Sequence, residues 1–246
     1  VLLEPFYDSY PALCALAGAV PRYLTLRFPD FALDLEALRA LCNERTRLLV
    51  LNTPHNPTGK VFSAEELAGI ARLAEERDLL VVVDEVYEHL TYDGVAHVPL
   101  ASLPGMWERT LSISSTGKTF SFTGWKVGWA TGPQPLVAAA QAAHQFLTFA
   151  SATPLQVAMG DALSRFGASF FQELVEGYRA RRDLLVAALE AAGFDVAVPK
   201  GTYFVLAGFS RWFDGTDREL AYRLVEEAGV AAIPPSAFYA SAPDEG

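Results

Sequence analysis

The sequence predicts an α/β protein built around a largely parallel sheet. Short apolar runs alternate with helix-like segments over residues 1–131, which is the order of elements that a parallel sheet requires. Several of these runs are apolar throughout, as is typical of strands covered on both faces. Hydrophobic residues make up 51% of the 246 residues and charged residues 20%, which indicates a soluble, globular protein.

Six strands are expected in this first part of the chain. They are Val1–Glu4, Tyr23–Phe28, Leu48–Leu51, Leu79–Asp84, Leu111–Ser114 and Val127–Thr131. The helices between them have recognisable starts. Asp34 is the expected N-cap of a helix that runs through Leu41. Ser63 and Glu66 form a capping box that opens a helix to about Arg77.

The pattern changes after about residue 133, where helical, alanine-rich segments follow one another. A long amphipathic helix and a smaller α+β unit come next. We therefore expect a large domain over residues 1–165, followed by a linking helix and a partial small domain over residues 166–246. The expected elements are helices Pro135–Phe149 and Thr153–Ser164, a long helix ending at Gly193, strand Thr202–Leu206, a helix capped by Thr216 with Glu219, and strand Val230–Ile233.

The composition excludes several classes of function. The net charge is −10, and without a basic stripe to neutralise phosphates we expect no nucleic-acid partner. No apolar run reaches membrane-spanning length and no signal peptide is legible, so we expect a cytoplasmic protein. Cys14 and Cys42 lack metal-ligand spacing and are interpreted as buried free thiols. No metal site is expected, because the histidines are scattered. They are His55, His89, His97 and His144.

Both ends of the chain suggest that residues are missing. Residue 1 is Val, and Val1–Glu4 already has the character of a buried strand. The tail Ser241–Gly246 stops in a loop directly after an apolar stretch. We therefore expect the chain to be truncated at both ends.

Polar residues follow three of the predicted strands, at the edge where open α/β sheets bind ligands. In Asn52–Lys60, the Asn-Pro and Thr-Gly pairs are typical of a turn, although Asn56 offers an amide that both donates and accepts.

Asp84 follows three valines, and burying its lone charge would be costly. Either a structural salt bridge or a cationic ligand nitrogen would satisfy it. Metal binding together with Glu85 is disfavoured, because adjacent strand residues face opposite ways.

Lys118 lies among glycines and hydroxyls just after a predicted strand. Its Gly-Lys-Thr motif suggests a P-loop, but the Walker pattern needs glycine where this chain has Ser112, which excludes an NTPase. A solvated surface lysine is the alternative. Aromatic neighbours favour instead an enclosed site, in which the pKa of an amine falls and the amine becomes a nucleophile. These neighbours are Phe120, Phe122, Trp125 and Trp129.

Together the three segments resemble the class I/II aminotransferases, which are fold-type I pyridoxal 5′-phosphate (PLP) enzymes. Asn52–Glu66, Asp84–Tyr87 and Ala101–Trp129 are most similar to the branch of kynurenine aminotransferase, glutamine transaminase K and cysteine-conjugate β-lyase. Gly201–Phe204 and Ile233–Tyr239 also resemble the small domain of that branch. The resemblance implies the fold-type I architecture, PLP as the cofactor and a homodimer.

The resemblance implies three catalytic residues. Lys118 matches the lysine that forms the Schiff base with PLP and then moves a proton between the substrate α-carbon and the cofactor. Asp84 matches the carboxylate that pairs with the pyridine N–H and keeps the ring protonated, so that the ring acts as an electron sink. Tyr87 matches the phenol that hydrogen-bonds the 3′-oxygen of the cofactor.

The resemblance also implies residues that bind cofactor and substrate. Asn56 matches an amide that contacts the same 3′-oxygen and the substrate carboxylate. Ser115 and Lys126 match phosphate ligands. Many family members have arginine in place of Lys126, but lysine, a point charge without a bidentate fork, is typical of the kynurenine aminotransferase branch.

Other parts of the family's site are expected outside this chain. The resemblance places a phosphate loop, a helix N-terminus and a ring-stacking aromatic residue before residue 1. It places the arginine that binds the substrate carboxylate after Gly246. Sites of this type are usually completed across a homodimer interface, so the 246-residue chain alone is expected to be inactive or incomplete.

The expected activity is transamination between an L-amino acid and a 2-oxo acid, in amino-acid metabolism. The donor is expected to be an aromatic or sulfur-containing amino acid, glutamine or kynurenine. A cysteine-conjugate β-lyase is an open alternative, because both reactions begin with removal of the same α-proton. An aminotransferase-like domain of a PLP-sensing regulator and an inactive fragment are the others.

Overall fold

The computed structural model describes residues 1–240, so the predicted tail Ser241–Gly246 and the end of the predicted small domain lie outside the described residues. A six-stranded sheet forms the centre of the molecule. Its strands are β1 (Leu2–Glu4), β2 (Tyr23–Thr25), β3 (Leu48–Asn52), β4 (Leu80–Asp84), β5 (Thr110–Ser115) and β6 (Gly128–Thr131).

The spatial order of these strands is β2-β1-β3-β4-β5-β6. All neighbouring pairs from β2 to β5 are parallel, and β6 pairs antiparallel with β5. The predicted fold class, a largely parallel α/β sheet, is therefore confirmed. All six predicted strands are present, although β2 ends earlier than expected.

Helices cover the sheet and make up most of the second half of the chain. They are α1 (Ser9–Leu16), α2 (Leu35–Leu41), α3 (Ala64–Glu76), α4 (Thr116–Thr119), α5 (Gln134–Leu147), α6 (Thr153–Arg165), α7 (Ala168–Ala191) and α8 (Asp217–Arg223). Short 3₁₀ turns form at Leu100–Ser102, Trp107–Arg109, Thr123–Trp125 and Pro235–Phe238, and a π-helical turn forms at Leu224–Ala228. No helix within residues 1–240 is long and apolar enough to cross a membrane.

Predicted helix starts are confirmed where the caps are explicit. The Asp34 side chain accepts a hydrogen bond from the backbone N–H of Ala37. Ser63 and Glu66 form the reciprocal capping box at the start of α3, which satisfies two backbone donors that would otherwise lack partners. Thr216 and Glu219 form the same box at α8.

The main hydrophobic core lies between the sheet and α3. Leu51 of β3 and Val83 of β4 are fully buried against Ile70 and Leu73 of α3. Alternate strand residues supply this face, because side chains alternate across a strand. The packing fixes the register of β3 and β4, and with it the positions of the residues that follow them.

The C-terminal region corrects two predicted strands. Thr202–Leu206 is not a strand: Thr202 has φ of +62°, which is incompatible with extended backbone. The pairing starts only at Leu206. Val230–Ile233 is not extended into a strand either, because no partner strand lies beside it within residues 1–240. A small antiparallel pair forms from β7 (Asp195–Ala197) and β8 (Leu206–Gly208).

Residues 199–203, the return segment, bring the chain back to the loops that follow β3 and β4. The N–H groups of Lys200 and Gly201 donate to the carbonyl of Gly59 at 2.9 and 2.8 Å. The Thr202 N–H donates to the carbonyl of Leu90 at 2.9 Å. Gly59 has φ of +70°, and a Cβ there would lie 2.2 Å from the Cβ of Pro199, so the close approach requires glycine. The domain boundary at residue 165 stays a prediction.

Candidate active site

The predicted polar segments meet at the carboxyl ends of β3, β4 and β5. Asn52 pairs with Asp84 in the β3–β4 register, and Asp84 pairs with Ile113 of β5. The Asn52 side chain donates to the backbone carbonyl of Asp84 at 2.9 Å and accepts from the Asn56 N–H at 2.6 Å. The loop that contains Asn56 is therefore held directly beside the end of β4.

Asp84 has hydrogen-bond donors on both carboxylate oxygens. The Tyr10 hydroxyl donates to Oδ2 at 2.7 Å and the Val86 N–H donates to Oδ1 at 3.2 Å. Both donors are neutral, and none of the ion pairs within residues 1–240 involves Asp84. The structural salt bridge that the sequence left open is thus absent from the described part of the chain.

The surroundings of Asp84 act on its pKa in opposite directions. Burial raises the pKa of the carboxyl group above its usual value, while the hydrogen bonds from Tyr10 and Val86 and the charge of Lys118 lower it. Burial disfavours the charged form, and donors and cations favour it. A ligand that brings a positively charged N–H would complete this balance.

Lys118 lies on α4, immediately after β5, and faces two tyrosines. Its Nζ donates to the hydroxyl of Tyr203 at 3.0 Å and lies 5.6 Å from the centroid of the Tyr87 ring. Tyr87 is buried, and its hydroxyl donates to that of Tyr203 at 3.3 Å. Burial and then the Tyr203 hydroxyl raise the pKa of Tyr87. The amine, the phenol and the Asp84 carboxylate therefore share one site.

Ser115 ends β5, three residues before Lys118, and Lys126 lies just before β6. The Ser115 hydroxyl accepts from the Gly117 N–H at 3.0 Å and donates to the carbonyl of Val127 at 3.2 Å. Because Ser115 pairs with Gly128, Lys126 follows closely in space. Lys126 is exposed, and no ion pair to it forms within residues 1–240.

The backbone of Lys126 is in the left-handed region, with φ of 54° and ψ of 40°. Lysine rarely adopts this conformation, which persists only where the surrounding structure enforces it. The turn at Thr123–Trp125 before it and the β5–β6 pairing after it supply that constraint. The backbone of Lys126 is therefore fixed near the end of β5, two residues before the Gly128 that pairs with Ser115.

The predicted enclosure of the site by aromatic residues is incomplete. Phe122 and Trp129 are 43% and 37% exposed. Trp129 is exposed because it lies on β6, the outermost strand of the sheet. Phe120 packs against Phe166 and Phe170 instead, with ring centroids 5.6 and 5.3 Å apart. The expectation that all four aromatic residues wall off Lys118 is wrong for the described residues.

Two residues of the site were not singled out from the sequence. Tyr10 follows β1, and the parallel sheet places the carboxyl ends of β1 and β4 on the same side, but only the observed strand order shows this. Tyr203 comes from the return segment, and only its hydrogen bonds to Tyr87 and Lys118 reveal its place. No local pattern around Tyr203 predicts those contacts.

Cysteines and metal-binding groups add little to the site. Cys42 is buried as expected, whereas Cys14 is only partly buried, and both are free thiols. Cys14 lies on α1, which has no buried residue. Among residues 1–240 no group of three histidine, cysteine, aspartate or glutamate side chains is arranged to hold a metal ion.

The donor set fits a small aromatic ring with four different functions. A carboxylate without a cationic partner suits a protonated ring nitrogen, and buried Tyr87 suits a ring oxygen. The Lys118 amine suits a carbonyl carbon. The hydroxyl of Ser115 and the free charge of Lys126 suit a phosphate. These are the functional groups of PLP.

Comparisons with known proteins agree with this chemistry. The family model for aminotransferase class I and II matches residues 1–246. The chain is 48% identical to a probable N-succinyldiaminopimelate aminotransferase, DapC, of Mycobacterium tuberculosis, over 97% of the chain and 60% of that protein. It is 39% identical to kynurenine–oxoglutarate transaminase of Dictyostelium discoideum, over 97% of the chain and 63% of that protein.

A solved structure shows the same fold. The Escherichia coli protein identified as having a methionine aminotransferase function superimposes with a TM-score of 0.93 at 38% identity, covering 98% of this chain and 63% of that one. The chain thus spans about three fifths of the length of the relatives that it matches. It belongs to the aminotransferase class I and II family, whose members are fold-type I, PLP-dependent enzymes.

Proposed function

We propose that the protein containing this chain is a PLP-dependent aminotransferase that exchanges the amino group of an L-amino acid with a 2-oxo acid. One observation carries the proposal: Asp84, without a cationic partner, and the Lys118 amine lie at the same sheet edge with Tyr87 beside them. PLP supplies an electron sink when it is bound. The residues of the chain supply orientation, charge and proton transfer.

Three residues would carry the chemistry. The Asp84 carboxylate would accept the hydrogen bond of the ring N–H and hold the proton on the ring. The Nζ of Lys118 would attach the cofactor covalently and, once released, carry the proton to and from the α-carbon of the substrate. The hydroxyl of Tyr87 would donate to the ring oxygen, a donor role that its raised pKa supports because the phenol stays protonated.

Three further residues would bind. The Asn56 side chain would donate to the same ring oxygen and to the substrate carboxylate, and its position beside β4 supports this role. The Ser115 hydroxyl and the Lys126 ammonium would hold the phosphate. Lys126 provides charge there without the fixed two-donor geometry of arginine.

The covalent role of Lys118 is tested by reducing the loaded protein with borohydride and measuring the mass of the peptide that contains residue 118. We expect a PLP adduct on Lys118 in the wild-type protein and none in Lys118→Ala. Lys200→Ala is the matched control, because this lysine pairs with Asp93 outside the site, and the adduct should persist there. A reducible adduct in Lys118→Ala would refute the assignment.

The names of the relatives support transamination over the alternatives. They describe aminotransferases for N-succinyldiaminopimelate, kynurenine and methionine. We therefore propose an amino donor from the group of aromatic and sulfur-containing amino acids, glutamine and kynurenine, and add N-succinyldiaminopimelate as a candidate. Single-turnover rates across this panel would rank them. Pyruvate and ammonia released from a cysteine conjugate without any 2-oxo acid would indicate β-lyase activity instead.

We also propose a homodimer, a cytoplasmic location and the two domains 1–165 and 166–246. Large apolar side chains near the end of α5 are at least 80% exposed, namely Phe146, Leu147 and Phe149, which supports a face covered by a partner. The free thiols of Cys14 and Cys42 support a reducing compartment. Sedimentation, cell fractionation and limited proteolysis would test the three proposals in turn.

A further inference from the structure

The segment between β1 and α1 is fixed by contacts of Glu4 and Phe6. Phe6 is buried, and its N–H donates to the carbonyl of Phe238 at 2.8 Å. Buried Glu4, at the end of β1, accepts from the hydroxyl of Thr25 at 2.7 Å and from the N–H of Ala240 at 2.9 Å. These contacts anchor the segment that carries Tyr10 before its side chain reaches the site.

The Tyr10 side chain extends from α1 to the Asp84 carboxylate, 74 residues further along the chain. Its hydroxyl lies 2.7 Å from Oδ2, a short hydrogen bond to an acceptor that carries charge. The edge of its ring contacts Tyr7, with centroids 5.7 Å apart. The ring contact and the hydrogen bond both favour this orientation of the phenol.

The hydrogen bond can run in only one direction when Asp84 is ionised, because a carboxylate has no proton to donate. Burial, followed by the charge of Asp84, raises the pKa of Tyr10 well above its usual value, so the phenol keeps its proton. A donated hydrogen bond stabilises the carboxylate and makes it a weaker base. It leaves the negative charge uncompensated, whereas an arginine or lysine would neutralise it.

We propose that Tyr10 is a positioning residue that sets the orientation and the basicity of Asp84 toward the ring nitrogen of the cofactor. The inference rests on the proposed function, in which Asp84 faces that nitrogen. A single proton is shared between the ring nitrogen and the Asp84 carboxylate. By weakening the carboxylate as a base, Tyr10 keeps this proton on the ring. Moving this proton between the ring nitrogen and the carboxylate requires no other reactant.

Removing the Tyr10 hydroxyl should move the shared proton toward Asp84. The ring then loses part of its positive charge and becomes a weaker electron sink. Tyr10→Phe keeps the aromatic ring and its contact with Tyr7, so it removes the hydrogen bond and little else. Tyr7→Phe is the matched control, because it removes the same atom from the adjacent tyrosine, which is 44% exposed.

The test is ¹⁵N NMR of the holoenzyme loaded with PLP that is labelled at the ring nitrogen, combined with single-turnover rates. At fixed pH, the wild-type protein and Tyr7→Phe should show the signal of a ring nitrogen that is mostly but not fully protonated, because the proton is shared with Asp84. Asp84→Asn should show that of an unprotonated one. Tyr10→Phe should lie between them and react about tenfold more slowly, as expected for the loss of a hydrogen bond to a charged group.

A second variant addresses the case in which Tyr10→Phe does not fold. Fluorotyrosine at position 10 keeps the shape and the hydroxyl but is a more acidic donor. It should move the nitrogen signal toward full protonation, opposite to the effect of phenylalanine. A loaded Tyr10→Phe protein with the signal and rate of wild type, or a fluorotyrosine protein without any shift, would overturn this inference alone. A wild-type protein that takes up no cofactor would overturn the proposed function as well.

Discussion

Asp84, at the end of β4, and Asp93, in the segment that follows β4, are two carboxylates with opposite surroundings. Asp93 accepts two hydrogen bonds from Arg182 and one from Lys200, each at 2.9 Å. These bonds hold the pKa of Asp93 well below its usual value. Asp84 has only neutral donors, and burial raises its pKa. The Asp93 carboxylate is already paired with two cations, which suits a structural role. The Asp84 carboxylate has no cationic partner among residues 1–240 and can accept one from a ligand.

The Asp93 cluster has a clear structural task. Arg182 comes from α7, and it also donates to the carbonyl of Pro199 at 3.1 Å and stacks over the ring of Tyr92 at 4.8 Å. The cluster therefore joins α7 and the return segment to the loop after β4. Removing a partner there should affect the fold, whereas removing one at Asp84 should affect the chemistry.

The largest effect is expected from Asp84→Asn on catalysis. The variant should still bind PLP, because the phosphate ligands and Lys118 are unchanged. Single-turnover transamination should fall at least about 100-fold, the size of a lost charge-assisted hydrogen bond. Stopped-flow absorbance measures this rate, with Asp93→Asn as the control at the structural cluster. Near-normal turnover in Asp84→Asn would make Asp84 merely structural.

The next effect is expected from Arg182→Met on stability. Removing one partner of a largely buried ion pair should lower the free energy of unfolding by about 2 kcal/mol, with Lys200 retaining part of the pairing. Urea unfolding measures the loss. Arg181→Met is the matched control: its guanidinium donates to the Gly177 carbonyl and lies 5.7 Å from the Tyr178 ring, both on its own helix, and the change should stay within about 0.5 kcal/mol. Equal losses in both variants would contradict the structural role of the Asp93 cluster.

His55 extends the comparison to a buried base, whose ring contacts the Thr58 hydroxyl and has no anionic partner among residues 1–240. Burial, and then Lys60, lowers the pKa of His55 to about 3. Its usual value is near 6.5, so the neutral ring contributes stability above pH 6.5 that is lost as the pH falls toward 3. The loss should approach about 1.4 kcal/mol per pH unit. Urea unfolding at pH 6 and pH 5 should show a shallower slope for His55→Gln than for wild type or for the exposed control His144→Gln.

The smallest effect is expected from Asp84→Asn on the stability of the cofactor-free protein. A raised pKa means that the folded state favours the protonated form. The stability from this group is therefore present below the unfolded pKa and lost as the pH rises through the folded pKa. At pH 7 the ionised carboxylate costs stability, so Asp84→Asn should raise the Tm, and Asp93→Asn should lower it. A lower Tm for Asp84→Asn would mean that ionised Asp84 is already compensated.

Much of the sheet could be predicted, because its strands are encoded locally. Continuous apolar runs predicted β3 and β4, and explicit caps predicted α2 and α3. Since parallel strands end at one edge, the sequence also predicted that Asn56 and Asp84 would lie near Lys118. Nothing local encodes a partner strand, which is why the Val230–Ile233 prediction was wrong.

The remaining site residues depend on distant contacts. Tyr10 and Asp84 are 74 residues apart, and Lys118 and Tyr203 are 85 residues apart. Neither tyrosine belongs to a pattern with a specific spacing, so only the folded chain reveals them. The aromatic residues near Lys118 predicted an enclosed site. This prediction failed for a related reason: β6, which carries Trp129, is the outermost strand of the sheet, and no local pattern indicates that position.

The late position of the return segment in the chain also determines when its contacts with Lys118 can form during synthesis. Lys118 meets Tyr203 only after 85 more residues have been made, which at about 5–20 residues per second is a delay on the order of 10 s. Every strand of the large sheet has left the ribosome by then. The six strands of the sheet are therefore made before Lys118 has Tyr203 as a partner. A ribosome stalled before residue 199 should display a chain with the sheet formed and the Lys118 amine open to acylating reagents.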